Sequence, residues 1–210
     1  MTETDPKKTD LTLASASPRR AELMRQAGYT FEIVTPPLTE PDEMGHDVPP
    51  ESQAEAWSYF KARSVAKAME TGWIIGADTI VALDGAVFGK PADVDDARRI
   101  LGTLAGTRHR VITGVTLLDA GTGERLISHD VTTVTMRPLS GEALDQYLAS
   151  EAWTGKAGAY GIQDKGDAFI ERIDGSFTNV VGLPMDLLST LLQKWGYPQT
   201  PDPATKPESV

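Results

Sequence analysis

Hairpin signals interleaved with amphipathic helices predict an α/β fold with a mixed central sheet and flanking helices. Three observations carry that expectation. Between Leu11 and Trp195 the chain alternates strand-like and helix-like segments with no visible internal repeat. Two pairs of β-rich runs are separated by tight-turn residues: Trp73–Leu83 from Ala86-Val87-Phe88 by Asp84-Gly85, and Arg110–Asp119 from Arg125–Met136 by Gly121-Thr122-Gly123. Such hairpins argue against a purely parallel doubly wound sheet. At 210 residues, 40% of them hydrophobic, the chain can bury one good core.

Taken in order, Leu11–Ala14 is a short apolar run suited to a buried strand, and Ser17-Pro18 starts a helix with serine as N-cap and proline at the first helical position. That helix places Ala21, Met24 and Ala27 on one side and stops at Gly28. Gln53–Met69 has helical spacing, the hairpin from Trp73 follows, and Asp93 caps a helix holding Ala97, Ile100, Leu101 and Leu104 that Gly106 ends. After the second hairpin, Ser140 begins a helix through Leu144 and Leu148. A glycine-rich loop at 155–161, the run Phe169–Ile173, a turn at Asp174-Gly175 and the segment Asn179–Val181 come next. Pro184 opens a last helix ending near Trp195 and Gly196. Residues 1–9 and the proline-bearing tail 198–210 have the composition of disordered segments, which leaves 10–197 as one domain.

Composition narrows the function. A net charge of -10 argues against a nucleic-acid polymer as partner, because binding a phosphate backbone needs a basic face. The absence of cysteine removes disulfides, thiolate metal sites and a cysteine nucleophile, and suits a reducing cytoplasm. No apolar run approaches the roughly 20 residues that span a bilayer, and Met1–Asp10 is polar, so neither a membrane nor a secretory route is expected.

Arg19 and Arg20 stand in the first turn of the predicted helix, where its dipole disfavours each by roughly 0.3–1 kcal/mol. A phosphate would resolve the conflict: backbone N–H groups at a helix N-terminus, the forked guanidinium donors and the hydroxyls of Ser15 and Ser17 all suit phosphate oxygens. The alternative is that both arginines face solvent and pair with Glu22 or another surface acid. Asp78 lies in the apolar strand Ile74–Val81, where an ionised carboxylate needs a metal, a cation or a proton, unless it ends the strand at a solvated edge. Lys61 falls one helical turn from Trp57 and another from Val65, on the stripe that should face the core, either as a functional cation or as a snorkelling stem. Lys90, between Phe88-Gly89 and Pro91, reads alone as a loop lysine, and Glu40 sits in an acidic, irregular stretch of the kind usually solvated. Gln163 follows glycines that permit close backbone approach; its amide either reads a base edge or ties down the loop. His46, His109 and His129 lack metal-ligand spacing and read as structural.

Together the segments Leu13-Ala14-Ser15-Ala16-Ser17-Pro18-Arg19-Arg20, Ile75–Val81, Gly89-Lys90-Pro91, Thr113-Gly114-Val115, Lys156–Gln163 and Asn179–Pro184, in this order, resemble the Maf family of nucleoside triphosphate pyrophosphatases. The resemblance implies a fold like that of the inosine triphosphate pyrophosphatases, an elongated mixed-sheet structure with a cleft, working as a homodimer. It implies hydrolysis of a nucleoside triphosphate to the monophosphate and pyrophosphate with a divalent metal, Mg or Mn. By position, Asp78 matches the proton acceptor, and Ser15, Ser17, Arg19, Arg20, Lys61 and Lys90 match the groups around the phosphates. Glu40 and Asp78 match the metal-binding acids, although the lead-in Pro36-Pro37-Leu38-Thr39 departs from the family pattern. Arg19, Thr79 and Gln163 resemble the specificity positions of the branch that prefers dTTP and UTP over 7-methyl-GTP, with a departure at Asp164-Lys165, where a glycine commonly follows the glutamine. Direct attack by water is the expected route, since no serine has an identifiable histidine partner. The competing readings are a nucleotide-binding regulator of cell division without turnover, a pyrophosphatase for another nucleotide, and a sugar-phosphate-binding protein.

Overall fold

The computed structural model describes residues 11–38, 48–163 and 168–197. The expectations for 1–9, 198–210, Glu40, His46 and Asp164-Lys165 lie outside the described residues. Among the described residues seven strands form one sheet: β1 (Leu11–Ala14), β2 (Glu32–Val34), β3 (Trp73–Leu83), β4 (Ala86–Phe88), β5 (Arg108–Asp119), β6 (Arg125–Met136) and β7 (Ile170–Asp174). Their order is β2-β1-β3-β5-β6-β7, with β4 paired to β3. Strand β1 runs parallel to β2 and β3, and the remaining pairings are antiparallel. The sheet is therefore mixed, and both predicted hairpins are present.

The helices are α1 (Pro18–Gln26), α2 (Pro50–Ala66), α3 (Val94–Leu104), α4 (Gly141–Ala149), α5 (Phe177–Val181) and α6 (Met185–Lys194). Side-chain caps fix three starts: Asp93 accepts from the Asp96 N–H, Ser140 from Ala143 and Ser176 from Asn179. Helix α2 begins at Pro50 rather than Gln53 and ends at Ala66 rather than Met69. Proline's fixed φ suits the first helical position, a start signal stronger than the apolar spacing that suggested Gln53. Asn179–Val181 is helical, because Ser176 caps it and Gly182, at φ 122°, ends it.

The sheet has two unlike faces. One carries the main core, with Leu11, Leu13, Ile75, Ala77, Val81, Val115 and Val134 packed against Met24 of α1, Leu101 of α3, Leu148 of α4 and Leu188 of α6. The other is covered by α2 over smaller clusters rich in alanine, among them Ala54, Ala62 and Ala82. Gly76 and Gly114 permit this second packing, since a Cβ at Gly76 would drive into the Ser58 carbonyl and one at Gly114 into that of Ala54. The α2 backbone thus lies almost directly on β3 and β5.

Candidate active site

A cleft of about 960 Å³ opens where the sheet is locally incomplete. Strand β1 pairs with β3 only as far as Gly76, and β4 pairs with it only from Val81, so Ala77–Ile80 have no strand neighbour on that edge among the described residues. Asp78 and Thr79 sit in this gap and, as consecutive strand residues, point to opposite faces.

On the α2 face, Lys61 Nζ donates to Asp78 Oδ1 at 2.5 Å, with both side chains over nine-tenths buried. The cross-strand partner of Asp78 is Gly114, whose missing side chain admits α2 and lets Lys61 reach the carboxylate. Asp78 is therefore a buried, paired mid-strand carboxylate rather than a solvated strand end, and Lys61 is its cation rather than a snorkelling stem. Gln53 and Trp57, on the same helical stripe as Lys61, also line the cleft.

On the opposite face, Arg20 is buried and donates through Nε to the Gly182 carbonyl at 2.7 Å, through Nη1 to Ser15 Oγ at 3.3 Å and through Nη2 to Thr79 Oγ1 at 3.0 Å. Thr79 Oγ1 lies 3.0 Å from Thr113 Oγ1, which donates to the Asn179 carbonyl at 3.1 Å. The surface-pair alternative fails for Arg20, since Glu22 meets Arg25 and Gln26 instead. Arg19 Nη2 reaches across to the Gly155 carbonyl at 3.3 Å. Ser17 has the backbone of an N-cap without making a side-chain cap bond; its own N–H is held by Ser15 Oγ at 3.1 Å. The first turn of α1 carries no acid, which leaves its N-terminal dipole open to an anion.

The loop at 155–163 closes the far side. Gly158 adopts φ 70° and donates to the Gly89 carbonyl at 2.9 Å, which anchors the loop beside exposed Lys90. Tyr160 is tethered through its hydroxyl to His109 Nε2 at 2.8 Å. Burial lowers His109 to a pKa of about 4 and raises that of Tyr160, so both are neutral. Gln163 is exposed at the cleft, and Lys156, which lines it too, is buried and donates to the Ala152 carbonyl.

Ser15, Ser17, Arg19, Arg20, Lys61, Asp78, Thr79, Lys90 and Gln163 thus all line one cleft, while Glu40 lies outside the described residues. Among the described residues no group of three or more histidines or acids is disposed to hold a metal. Asp78 nevertheless suits Mg or Mn, which commonly take one or two carboxylates and complete their shell with phosphate oxygens and water, and Asp96 also lines the cleft. No described helix is long and apolar enough to cross a membrane.

Residues 10–195 match the family model described as "Maf-like protein". The chain belongs to the Maf family. Curated relatives named dTTP/UTP pyrophosphatase include one from Pelotomaculum thermopropionicum, 42% identical over 90% of this chain and 97% of its own. Another, from Symbiobacterium thermophilum, is 43% identical over 90% of this chain and 95% of its own. A solved nucleoside-triphosphatase / dITP/XTP pyrophosphatase from Mycobacterium abscessus aligns with 90% of this chain and 99% of its own at 15% identity and a TM-score of 0.44. In this Maf chain, reading the sequence one residue at a time missed Lys156, Thr113, Asn179 and Gly182. All four fall inside segments that carried the resemblance, and all four act through contacts that sequence spacing does not reveal.

Proposed function

We propose that this protein hydrolyses dTTP and UTP to the monophosphate plus pyrophosphate, with Asp78 as proton acceptor. The observation that carries the reading is the buried Lys61–Asp78 pair opening onto a cleft that also presents Arg19, Arg20, Lys90 and Lys156. The names of relatives above 40% identity supply the substrates. Arg19, Arg20, Lys90, the hydroxyls of Ser15 and Ser17 and the start of α1 hold the triphosphate, so its charge is met by fixed donors before reaction. Asp78 takes the proton of a water that attacks the α-phosphorus; the Pα–O bond to the β-phosphate breaks and pyrophosphate departs with the electron pair. Lys61 holds the carboxylate toward that water and balances its charge. A divalent metal held by Asp78 and Glu40 would neutralise charge on the phosphate oxygens. Thr79 and Gln163, with Arg19, select the base. The setting we propose is one domain over 10–197, as a cytoplasmic homodimer; the exposed Ile33 and Val34 of edge strand β2 support association.

The test is pyrophosphate release with Mg or Mn across dTTP, UTP, CTP, GTP and 7-methyl-GTP. Wild type is expected to favour dTTP and UTP, and Asp78→Asn to lose about 10²–10⁴ of that rate. Binding without release by the wild type across the whole panel overturns the enzyme reading in favour of a nucleotide-binding regulator.

A further inference from the structure

Thr79 occupies a singular position in the cleft wall: half-buried, lining the cavity, and bonded on its inner side to three groups. A hydroxyl has one proton to give and two lone pairs. Arg20 can only donate, so its Nη2 at 3.0 Å takes one lone pair of Thr79. A carbonyl can only accept, so the 3.1 Å contact of Thr113 with the Asn179 carbonyl consumes the Thr113 proton. The 3.0 Å contact between the two hydroxyls is then made by the Thr79 proton pointing at Thr113. The other solution turns the Thr79 proton to the Gly182 carbonyl at 3.4 Å, a longer contact to an oxygen already held by Arg20 Nε at 2.7 Å. The shorter arrangement runs in one direction, from Arg20 to Thr79 to Thr113 to Asn179, and leaves Thr79, which lines the cleft, one lone pair to offer and no proton.

An oxygen that only accepts offers nothing to a phosphate, whose oxygens also accept. It suits an N–H group of the nucleoside. The pyrimidine bases of dTTP and UTP differ in a methyl group and their sugars in a 2′-hydroxyl, but they share an N3–H donor between two carbonyls. Cytosine presents at N3 a bare acceptor. We propose that Thr113 is a positioning residue for base selection: by taking the Thr79 proton it fixes Thr79 as an acceptor that favours a base with N3–H over one with an unprotonated ring nitrogen. Buried completely and opposite Thr79 in the β3–β5 register, Thr113 never touches the nucleotide. The inference rests on the proposed dTTP/UTP reading of the same cleft.

The experiment compares kcat/KM for UTP and CTP, and their Kd values by calorimetry, in wild type, Thr113→Val and Thr113→Ser. Valine keeps the volume but removes the nearer acceptor, so the Thr79 proton is left with only the long 3.4 Å contact to the Gly182 carbonyl and can turn to the cleft to donate to cytosine N3. The UTP-to-CTP preference is expected to shrink about tenfold in Thr113→Val, on the order of one hydrogen bond, and to be retained in Thr113→Ser. If the valine protein does not fold, Thr113→Cys replaces it, since a thiol is a weak acceptor. Equal losses on both nucleotides, or an unchanged preference, overturn the proposal and mark Thr113 as a packing residue. A wild type that does not discriminate UTP from CTP in Kd also overturns it. If wild type binds UTP selectively without releasing pyrophosphate, the enzyme reading fails, and the Kd ratios alone decide the role of Thr113.

Discussion

Beneath α2 the sheet meets ion pairs, Lys61 with Asp78 and Arg110 with Glu51. Across the same strands the opposite face carries neutral groups, the Thr79–Thr113–Asn179 chain and the His109–Tyr160 pair, around the guanidinium of Arg20. The alternation of β3 delivers one residue from each system, Asp78 and Thr79, to the same gap in the sheet edge. The two systems suit different tasks. An ion pair supplies a strong, oriented charge where a proton must be moved, and a hydroxyl chain supplies direction, deciding which partner donates and which accepts.

The charged face should be the more costly to break. Lys61→Met leaves the Asp78 carboxylate buried without its ammonium, a change that typically costs about 3–5 kcal/mol. It should appear as a lowered urea midpoint together with loss of pyrophosphate release. Replacing both partners, Lys61→Met with Asp78→Leu, should restore much of the stability and none of the activity. A double variant no more stable than Lys61→Met, or a single variant as stable as wild type, would show that Lys61 contributes little to holding the carboxylate.

Both faces were legible in the sequence to different degrees, for a physical reason. A carboxylate within Ile74–Val81 and a lysine on the inward stripe of a helix violate the hydrophobic pattern, and a violated pattern is visible without coordinates. The mixed sheet was visible too, since its hairpin turns are local. Threonines in a β-strand violate nothing, so Thr113 and the chain behind it looked like ordinary strand residues. The partners of Arg20 at Thr79 and Gly182 are distant in the chain, and no local signal announces them. Helix α2 starts at Pro50, three residues before the apolar spacing begins at Gln53, because proline's fixed φ and not a core contact sets that end.

The neutral face has its own weak point, in pH rather than in charge pairing. His109 is 1% exposed, and burial holds its pKa at about 4 against 6.5 in an unfolded chain. Between those values the unfolded chain binds the extra proton and the folded one does not. Stability from the neutral imidazole is complete above about pH 6.5 and falls by about 3 kcal/mol as pH drops to about 4. Urea midpoints measured across that window should decline more steeply for wild type than for His109→Gln, which cannot take up the proton. Parallel curves would mean that His109 already meets water in the folded protein.

The smallest effect tests whether burial, rather than contact distance, separates the charged face from ordinary surface pairs. Arg98 and Asp145 join α3 to α4 at 2.7 Å, close to the 2.5 Å of Lys61 and Asp78, yet their side chains are 49% and 63% exposed. Water already solvates both charges and salt screens them, so the pair returns little beyond the entropy spent in holding two long side chains together. Arg98→Ala should lower stability by less than about 1 kcal/mol, and the difference should shrink further in high salt. A loss approaching that of Lys61→Met would mean that the seam between α3 and α4 depends on this pair, and that the charge under α2 is unusual only in its place beside the cleft.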